Sequence, residues 1–246
     1  MATDPVDPKA GFNRFIEDWT DPEGNKTYEQ RLSTVEMEQH YIVNFQDLYT
    51  YDLDLAALLL KDATTHLNHF TQVVNTKLNF RGQNRKINTI QIRNLPAYTD
   101  IRKIDHNNIN RLLMIAGTIV KATDPQQKIN TARFKCTACE AETKEKQTHQ
   151  FITYPQCCTE CKSQKWEILP DKSTYTQIQK LTIQEKIEDV SPGNMPRTYE
   201  VEVGETLIDT AKPGDRVSVT GYIKGRRKSK NDTSLIMRAR YDWEID

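Results

Sequence analysis

Apolar positions recur at helical spacing through the first third of the chain. Phe12, Phe15, Ile16 and Trp19, then Tyr28, Leu32 and Val35, sit on either side of an Asp21-Pro22-Glu23-Gly24-Asn25 break. Three-to-four-residue spacing marks one buried face per helix, and the Pro-Gly pair marks a turn between them. Ala56, Leu59, Leu60, Ala63, Leu67, Phe70 and Val74 extend the 3.6-residue period. They predict one long helix running from a cap at Asp52 or Asp54 to Leu78. Residues 1–9 show no such pattern and read as an unstructured leader. His66 and His69 lie three apart within the long helix. No carboxylate or further histidine is placed to complete a site with them, so they read as polar surface.

After Arg81-Gly82-Gln83-Asn84 the pattern changes. Ile87, Ile90 and Ile92 read as a short strand that exits at Leu95-Pro96. Further strands are expected at 112–122, 132–135, 174–185, 198–203, 216–224 and 234–244. Alternation is plain in Tyr199-Glu200-Val201-Glu202-Val203 and in Val217-Ser218-Val219-Thr220. Asp124-Pro125, Ser191-Pro192-Gly193-Asn194 and Lys212-Pro213-Gly214-Asp215 supply the turns. Short strands at this density suit a small barrel such as an OB-fold. The expected architecture is α+β and multidomain: a helical bundle over 1–93, an OB-fold barrel over 94–131 and 168–246, and an insertion over 132–167.

Composition narrows the picture. The chain has 246 residues, 37% of them hydrophobic, with a mean hydropathy of −0.73. That favours several small domains over one thick core. The longest apolar run, Leu55 to Leu60, is six residues, against about 20 for a membrane helix. The first residues lack the basic-then-apolar pattern of a secretory signal. Net charge is zero, yet residues 1–62 carry thirteen acidic against five basic side chains, and residues 224–240 carry seven basic against one acidic. A bipolar chain with a concentrated basic segment points to a polyanionic partner.

All five cysteines fall between 136 and 161. Cys136-Thr-Ala-Cys139 and Cys158-Thr-Glu-Cys161 form two C-x-x-C pairs with eighteen residues between them, the spacing of a zinc ribbon. Each pair turns two thiolates toward one ion, and a hairpin brings the pairs together. Four thiolates leave no open position for water, so the zinc would be structural, one per chain. An odd cysteine count without a secretory signal argues against disulfides. Cys157 precedes the second pair and could serve instead of Cys158, at the cost of the two-residue spacer.

The segment Gly221 to Thr233 joins two expected strands and carries Lys224, Arg226, Arg227, Lys228 and Lys230. Like charges at this density repel one another, and a phosphate backbone would relieve them while releasing counterions. Tyr222, Tyr241 and Trp243 are candidates for base stacking or for core. No G-x-x-x-x-G-K-[ST], G-x-G-x-x-G or G-x-S-x-G is present, so nothing here is equipped to hydrolyse ATP. The chain reads as a binding and assembly module rather than an enzyme.

The order of these parts resembles the N-terminal region of the minichromosome maintenance (MCM) replicative helicases. The strings that carry the likeness are Asn94-Leu95-Pro96 with Ile101-Arg102, the run Leu112 to Thr123, Ile183-Gln184-Glu185 followed by Gly193-Asn194-Met195-Pro196-Arg197, and the run Leu207 to Gly221. They cover 94–246 as an ordered set; residues 1–93 resemble the family only in being helical. The resemblance implies a homo-oligomer, a hexamer or a double hexamer joined through its zinc ribbons. It implies a central channel holding single- or double-stranded DNA. It implies that Lys121 and Arg197 grip single strands and that the loop at 190–197 communicates with a motor. Family members continue into an AAA+ ATPase module that uses ATP and Mg2+. By that likeness the chain is a fragment ending at a domain boundary of an ATP-dependent helicase. The short N-terminus looks archaeal, implying a cytoplasmic, nucleoid-associated protein; a eukaryotic member would be nuclear. Two other readings stand beside this one: a stand-alone zinc-stabilised single-strand binder, and a protein-interaction module whose basic loop is incidental.

Overall fold

In the computed structural model, residues 7–38, 41–81, 86–87, 90–147, 151–204, 207–227 and 233–241 are described. Asp7 starts the first helix by accepting the backbone N–H of Lys9 at 3.0 Å, with Pro8 at the first helical position. The helix α1 (Pro8–Asp18) therefore begins inside the expected leader. It is followed by α2 (Thr27–Glu38), β1 (Tyr41–Asn44), α3 (Phe45–Tyr51), α4 (Leu53–Lys61), α5 (Ala63–Phe80) and β2 (Ile90–Arg93).

The single long helix expected from Asp52 to Leu78 is two helices. Asp52 caps α4 through the Leu55 N–H at 3.0 Å. Asp62 ends α4 and caps α5 through the Thr65 N–H at 3.2 Å. A short carboxylate competes with the helix for its own backbone donors, and here it restarts the chain in a new direction. The buried face survives the break: Leu55, Ala56, Leu59, Ala63, Leu67, Phe70, Val74 and Leu78 are all in the core. Phe12 stacks on Phe70 with ring centroids 3.9 Å apart. The helices also hold a parallel two-stranded ribbon, β1 on β2, with Tyr41 opposite Ile90, so this half is not purely helical. His66 and His69 are half-buried rather than surface, their rings 6.0 Å apart.

The rest of the chain supplies β3 (Leu112–Ala122), β4 (Gln126–Cys136), β5 (Glu142–Lys146), β6 (Trp166–Ile168), β7 (Thr174–Gln184), β8 (Thr198–Gly204), β9 (Arg216–Arg227) and β10 (Thr233–Tyr241). The pairing order is β3-β9-β10-β8-β7, and β7 also pairs with β3, so the five strands form a circuit. β7 further pairs with β4, which carries β5 and β6. The expected strand at 132–135 is thus the end of a longer one, β4, which runs unbroken through the 131/132 boundary into the cysteine insertion.

Alternation sorts the side chains of β3 and β9 onto two cores. Ile115, Ile119, Val217, Val219 and Ile223 pack inside the circuit with Leu181, Ile183, Val201, Val203 and Met237. Leu112, Met114 and Tyr222 belong instead to the helical core. Helices and circuit therefore share a continuous seam. Asn110 reinforces it from the left-handed region, φ 64°. Its N–H donates to the Ile223 carbonyl at 2.8 Å, its carbonyl accepts the Ala63 N–H at 2.8 Å, and its Oδ1 accepts the Thr64 hydroxyl at 3.1 Å. Among the described residues no helix is long and apolar enough to cross a membrane.

The circuit depends on one close approach. A Cβ on Gly117 would lie 2.2 Å from the Gln184 carbonyl oxygen and 2.6 Å from the Ile183 side chain. The nearer atom is backbone in a paired strand and cannot move aside. Gly117→Ala should cost about 3 kcal/mol or more, at or beyond the usual range for overpacking. Denaturant midpoints would measure it; a variant as stable as the parent would show that β3 and β7 are not held this closely.

Candidate metal centre and nucleic-acid interface

The two cysteine turns are built alike. In the first, the Cys136 N–H donates to the Ala141 carbonyl at 2.9 Å and the Glu140 N–H to the Cys136 carbonyl at 3.0 Å. In the second, the Cys158 N–H donates to Ser163 at 2.8 Å and the Lys162 N–H to Cys158 at 3.1 Å. Glu140 and Lys162 occupy the left-handed region at φ 61° and 62°, uncommon for non-glycine residues. The paired distortions turn both loops tightly around a sulfur.

The turns face each other. Cys136 and Cys161 sulfurs are 3.5 Å apart, as are those of Cys139 and Cys158. All four ligand atoms lie within 4.8 Å of one another. A zinc tetrahedron with ~2.3 Å bonds has sulfur–sulfur edges of about 3.8 Å, so the four sulfurs could hold such an ion. Cys157 is exposed and lies outside the cluster. Backbone N–H groups of Ala138 and Cys139 draw the Cys136 thiol down to about 6. Those of Cys161 and Glu160 draw Cys158 down. At Cys139 the Ala141 N–H acts in the same sense, but the neighbouring thiols outweigh it and push Cys139 up. The four share protons as one unit, and a cation would displace the protons that remain.

The insertion has a small core besides the sulfurs. Phe134 is fully buried and meets Tyr154 and Trp166 at 5.2 and 6.5 Å between ring centroids. The Gln147 side chain accepts the Thr153 N–H at 2.7 Å and donates to the Thr153 carbonyl at 3.0 Å.

The basic candidates fall in two places. Lys224, Arg226 and Arg227 lie in β9 beyond its last pairing with β3, where their ladder partners are Ile236, Ser234 and Thr233 of β10. β10 leaves β8 at Met237, so these residues occupy a two-stranded arm. Lys228 and Lys230 lie outside the described residues, as does Trp243. Tyr222, at the arm's root, is buried in the helical core and is no stacking platform.

Lys121 and Arg197 sit elsewhere. Lys121 is exposed at the far end of β3, opposite Thr182 of β7 after a register shift. Arg197 is exposed just before Thr198, which pairs with Gln184 of β7. Both therefore lie beside the last residues of β7. Lys121 lies nine positions along β3 from Leu112, which is beside the arm, about 30 Å of strand at ~3.3 Å per residue. One chain does not bring the two groups onto the same phosphate.

A further cluster escaped the sequence reading. Arg102 Nε donates to Glu185 Oε2 at 3.0 Å and Arg102 Nη2 to the Met195 carbonyl at 2.7 Å. The same Glu185 oxygen accepts the Arg197 N–H at 2.9 Å, and the Glu185 N–H donates to the Arg197 carbonyl at 3.0 Å. Together these bonds close both ends of the 186–196 loop. Arg102 and Glu185 are 83 positions apart, and no local pattern pairs them.

The MCM N-terminal domain model matches residues 9–133, and the MCM OB domain model matches residues 100–226. The minichromosome maintenance protein MCM of Saccharolobus solfataricus is 26% identical over 236 residues, covering 87% of this chain and 34% of its own length. The DNA replication licensing factor mcm2 of Schizosaccharomyces pombe is 28% identical over 87% of this chain and 27% of its own length. The DNA replication licensing factor MCM4 of Drosophila melanogaster is 23% identical over 97% of this chain and 30% of its own length. The chain thus spans about a third of the length of these relatives. The likeness reaches into the helices, which the sequence motifs alone did not.

Zinc content separates the candidate ligands. Cys158→Ser should lose the metal, and Cys157→Ser should keep one zinc per chain by elemental analysis. Chelation should lower protection in the cysteine turns and in β5 and β6, while the β4 amides paired with β7 and the helical half stay protected in hydrogen exchange. The opposite response of the two serine variants would transfer the ligand role to Cys157.

Proposed function

This chain belongs to the minichromosome maintenance family, as an N-terminal region, and on that premise we propose that it binds DNA and assembles the ring of an ATP-dependent replicative helicase. In this reading the five-strand circuit is a closed OB barrel and the cysteine insertion is a zinc ribbon. The four thiolates of Cys136, Cys139, Cys158 and Cys161 hold a structural Zn2+, which would pin the ribbon's two turns together. ATP and Mg2+ belong to a motor that these N-terminal domains do not contain.

The observation that carries the reading is the arm. Lys224, Arg226 and Arg227 occupy β9 positions opposite Ile236, Ser234 and Thr233 of β10, and Lys228 and Lys230 follow them in the sequence. A run of basic residues this dense repels itself, and a phosphate backbone is its natural counter-charge. Lys121 and Arg197 supply a second contact, about 30 Å of strand away. A single chain therefore touches DNA at two separated levels. A homo-oligomeric ring, hexamer or double hexamer, would stack arms and barrel faces around one channel and make both contacts continuous.

Two measurements test this. Binding to single- and double-stranded oligonucleotides should fall linearly in log K against log[salt]. Alanine at Arg226, Arg227, Lys228 and Lys230 should reduce that slope by as much as ~4, roughly one per lost phosphate contact. An unchanged slope removes the arm from the interface. Mass photometry should show six-fold or twelve-fold particles; a DNA-binding monomer would instead favour a stand-alone single-strand binder.

A further inference from the structure

Glu185 poses an electrostatic problem for any role of Arg197 in holding phosphate. Its carboxylate already grips the Arg197 backbone N–H at 2.9 Å, so it lies within easy reach of the same residue's guanidinium. An unopposed carboxylate there would draw the guanidinium back onto itself by a charge-assisted pair. Yet the Arg197 side chain is exposed, and among the described residues it makes no ion pair. The Glu185 side chain is only 10% exposed, and its carboxylate pairs with Arg102 at 3.0 Å.

Arg102 is well fixed for that task. It stands in the short turn Ile101–Lys103, whose Ile101 is buried in the circuit's core. Its second bond, to the Met195 carbonyl at 2.7 Å, keeps the guanidinium plane between Glu185 and the returning loop. Gly193, at φ 87°, and the Asn194 N–H bond to Ser191 at 3.1 Å turn that loop back toward Arg197.

We propose that Arg102 is the positioning residue for Arg197: by occupying the Glu185 carboxylate it leaves the Arg197 guanidinium open to a DNA phosphate. The inference rests on the reading above in which Arg197 contacts DNA. In this proposal Arg102 acts through Glu185 and not by contact with the nucleic acid. A further ion pair of the loop, Arg216 to Glu188 at 2.8 Å, is exposed at both ends and does not involve Arg197.

The test is a rescue. Affinity for an oligothymidylate is measured by fluorescence anisotropy on the full chain, with folding and zinc content checked for each variant. Arg197→Gln should weaken binding about tenfold and lower the salt slope by about one, as for one charged phosphate contact. Arg102→Gln should match it, because Glu185 then captures Arg197. Arg102→Lys keeps a cation on Glu185 and should stay within about threefold of the parent. Glu185→Gln keeps an acceptor for the Arg197 N–H but no charge, and should bind at least as tightly as the parent. The double variant Arg102→Gln/Glu185→Gln should recover to about the Glu185→Gln level.

A double variant as weak as Arg102→Gln would mean that Arg102 merely braces the loop, and the proposal falls alone. If Arg197→Gln leaves affinity and slope unchanged, the DNA contact at Arg197 falls and this proposal with it. Should Arg102→Gln not fold, Glu185→Gln decides: weaker binding than the parent overturns the proposal.

Discussion

Strand β3 hydrogen-bonds along both edges, to β9 over 112–118 and to β7 over 118–122, and the crossover between the two partners falls at Gly117–Thr118. Only a residue without a Cβ lets the Gln184 carbonyl come so near. Everything downstream follows from that contact. It completes the circuit and so buries the inner side chains of five strands. It also sets where Gln184 and Glu185 lie, and hence where the 186–196 loop begins. Because β3 is shared, its other face is free to join the helical core through Leu112 and Met114. The two halves of the chain are thus one packing problem rather than beads on a linker.

The cysteine insertion obeys the same logic. It grows out of β4 without a hinge, since β4 pairs with β7 at one end and with β5 and β6 at the other. A cation at the sulfurs would therefore stiffen a sheet that is already continuous with the circuit. This differs from a free zinc finger, where the metal organises an otherwise isolated peptide. The aromatic packing of Phe134, Tyr154 and Trp166 gives the segment some order of its own, but a core of three rings is small.

Much of this was legible in the sequence where burial imposes a period. The strand at 112–122 is found at those bounds because its apolar positions alternate against two cores. The four clustered cysteines were legible too, because ligand spacing is local. What could not be read depends on partners distant in the chain. Glu142-Thr-Lys-Glu-Lys146 has no apolar residue and becomes β5 only by lying against β4. Tyr41–Asn44 is a strand because β2 receives it. The break at Asp62 hides inside an unbroken hydrophobic period, because a cap is written in one carboxylate rather than in a pattern. The Arg102–Glu185 pair has no local signature at all.

Asn110 carries a mechanical consequence. Three hydrogen bonds tie the start of α5 to the carbonyl of Ile223, the last β9 residue before the basic arm. That residue is a fulcrum, with the acidic helices as one limb and the cationic strand pair as the other. Torque on either limb is felt by the other, so a charged surface pulling on the helices would steer the arm without touching it.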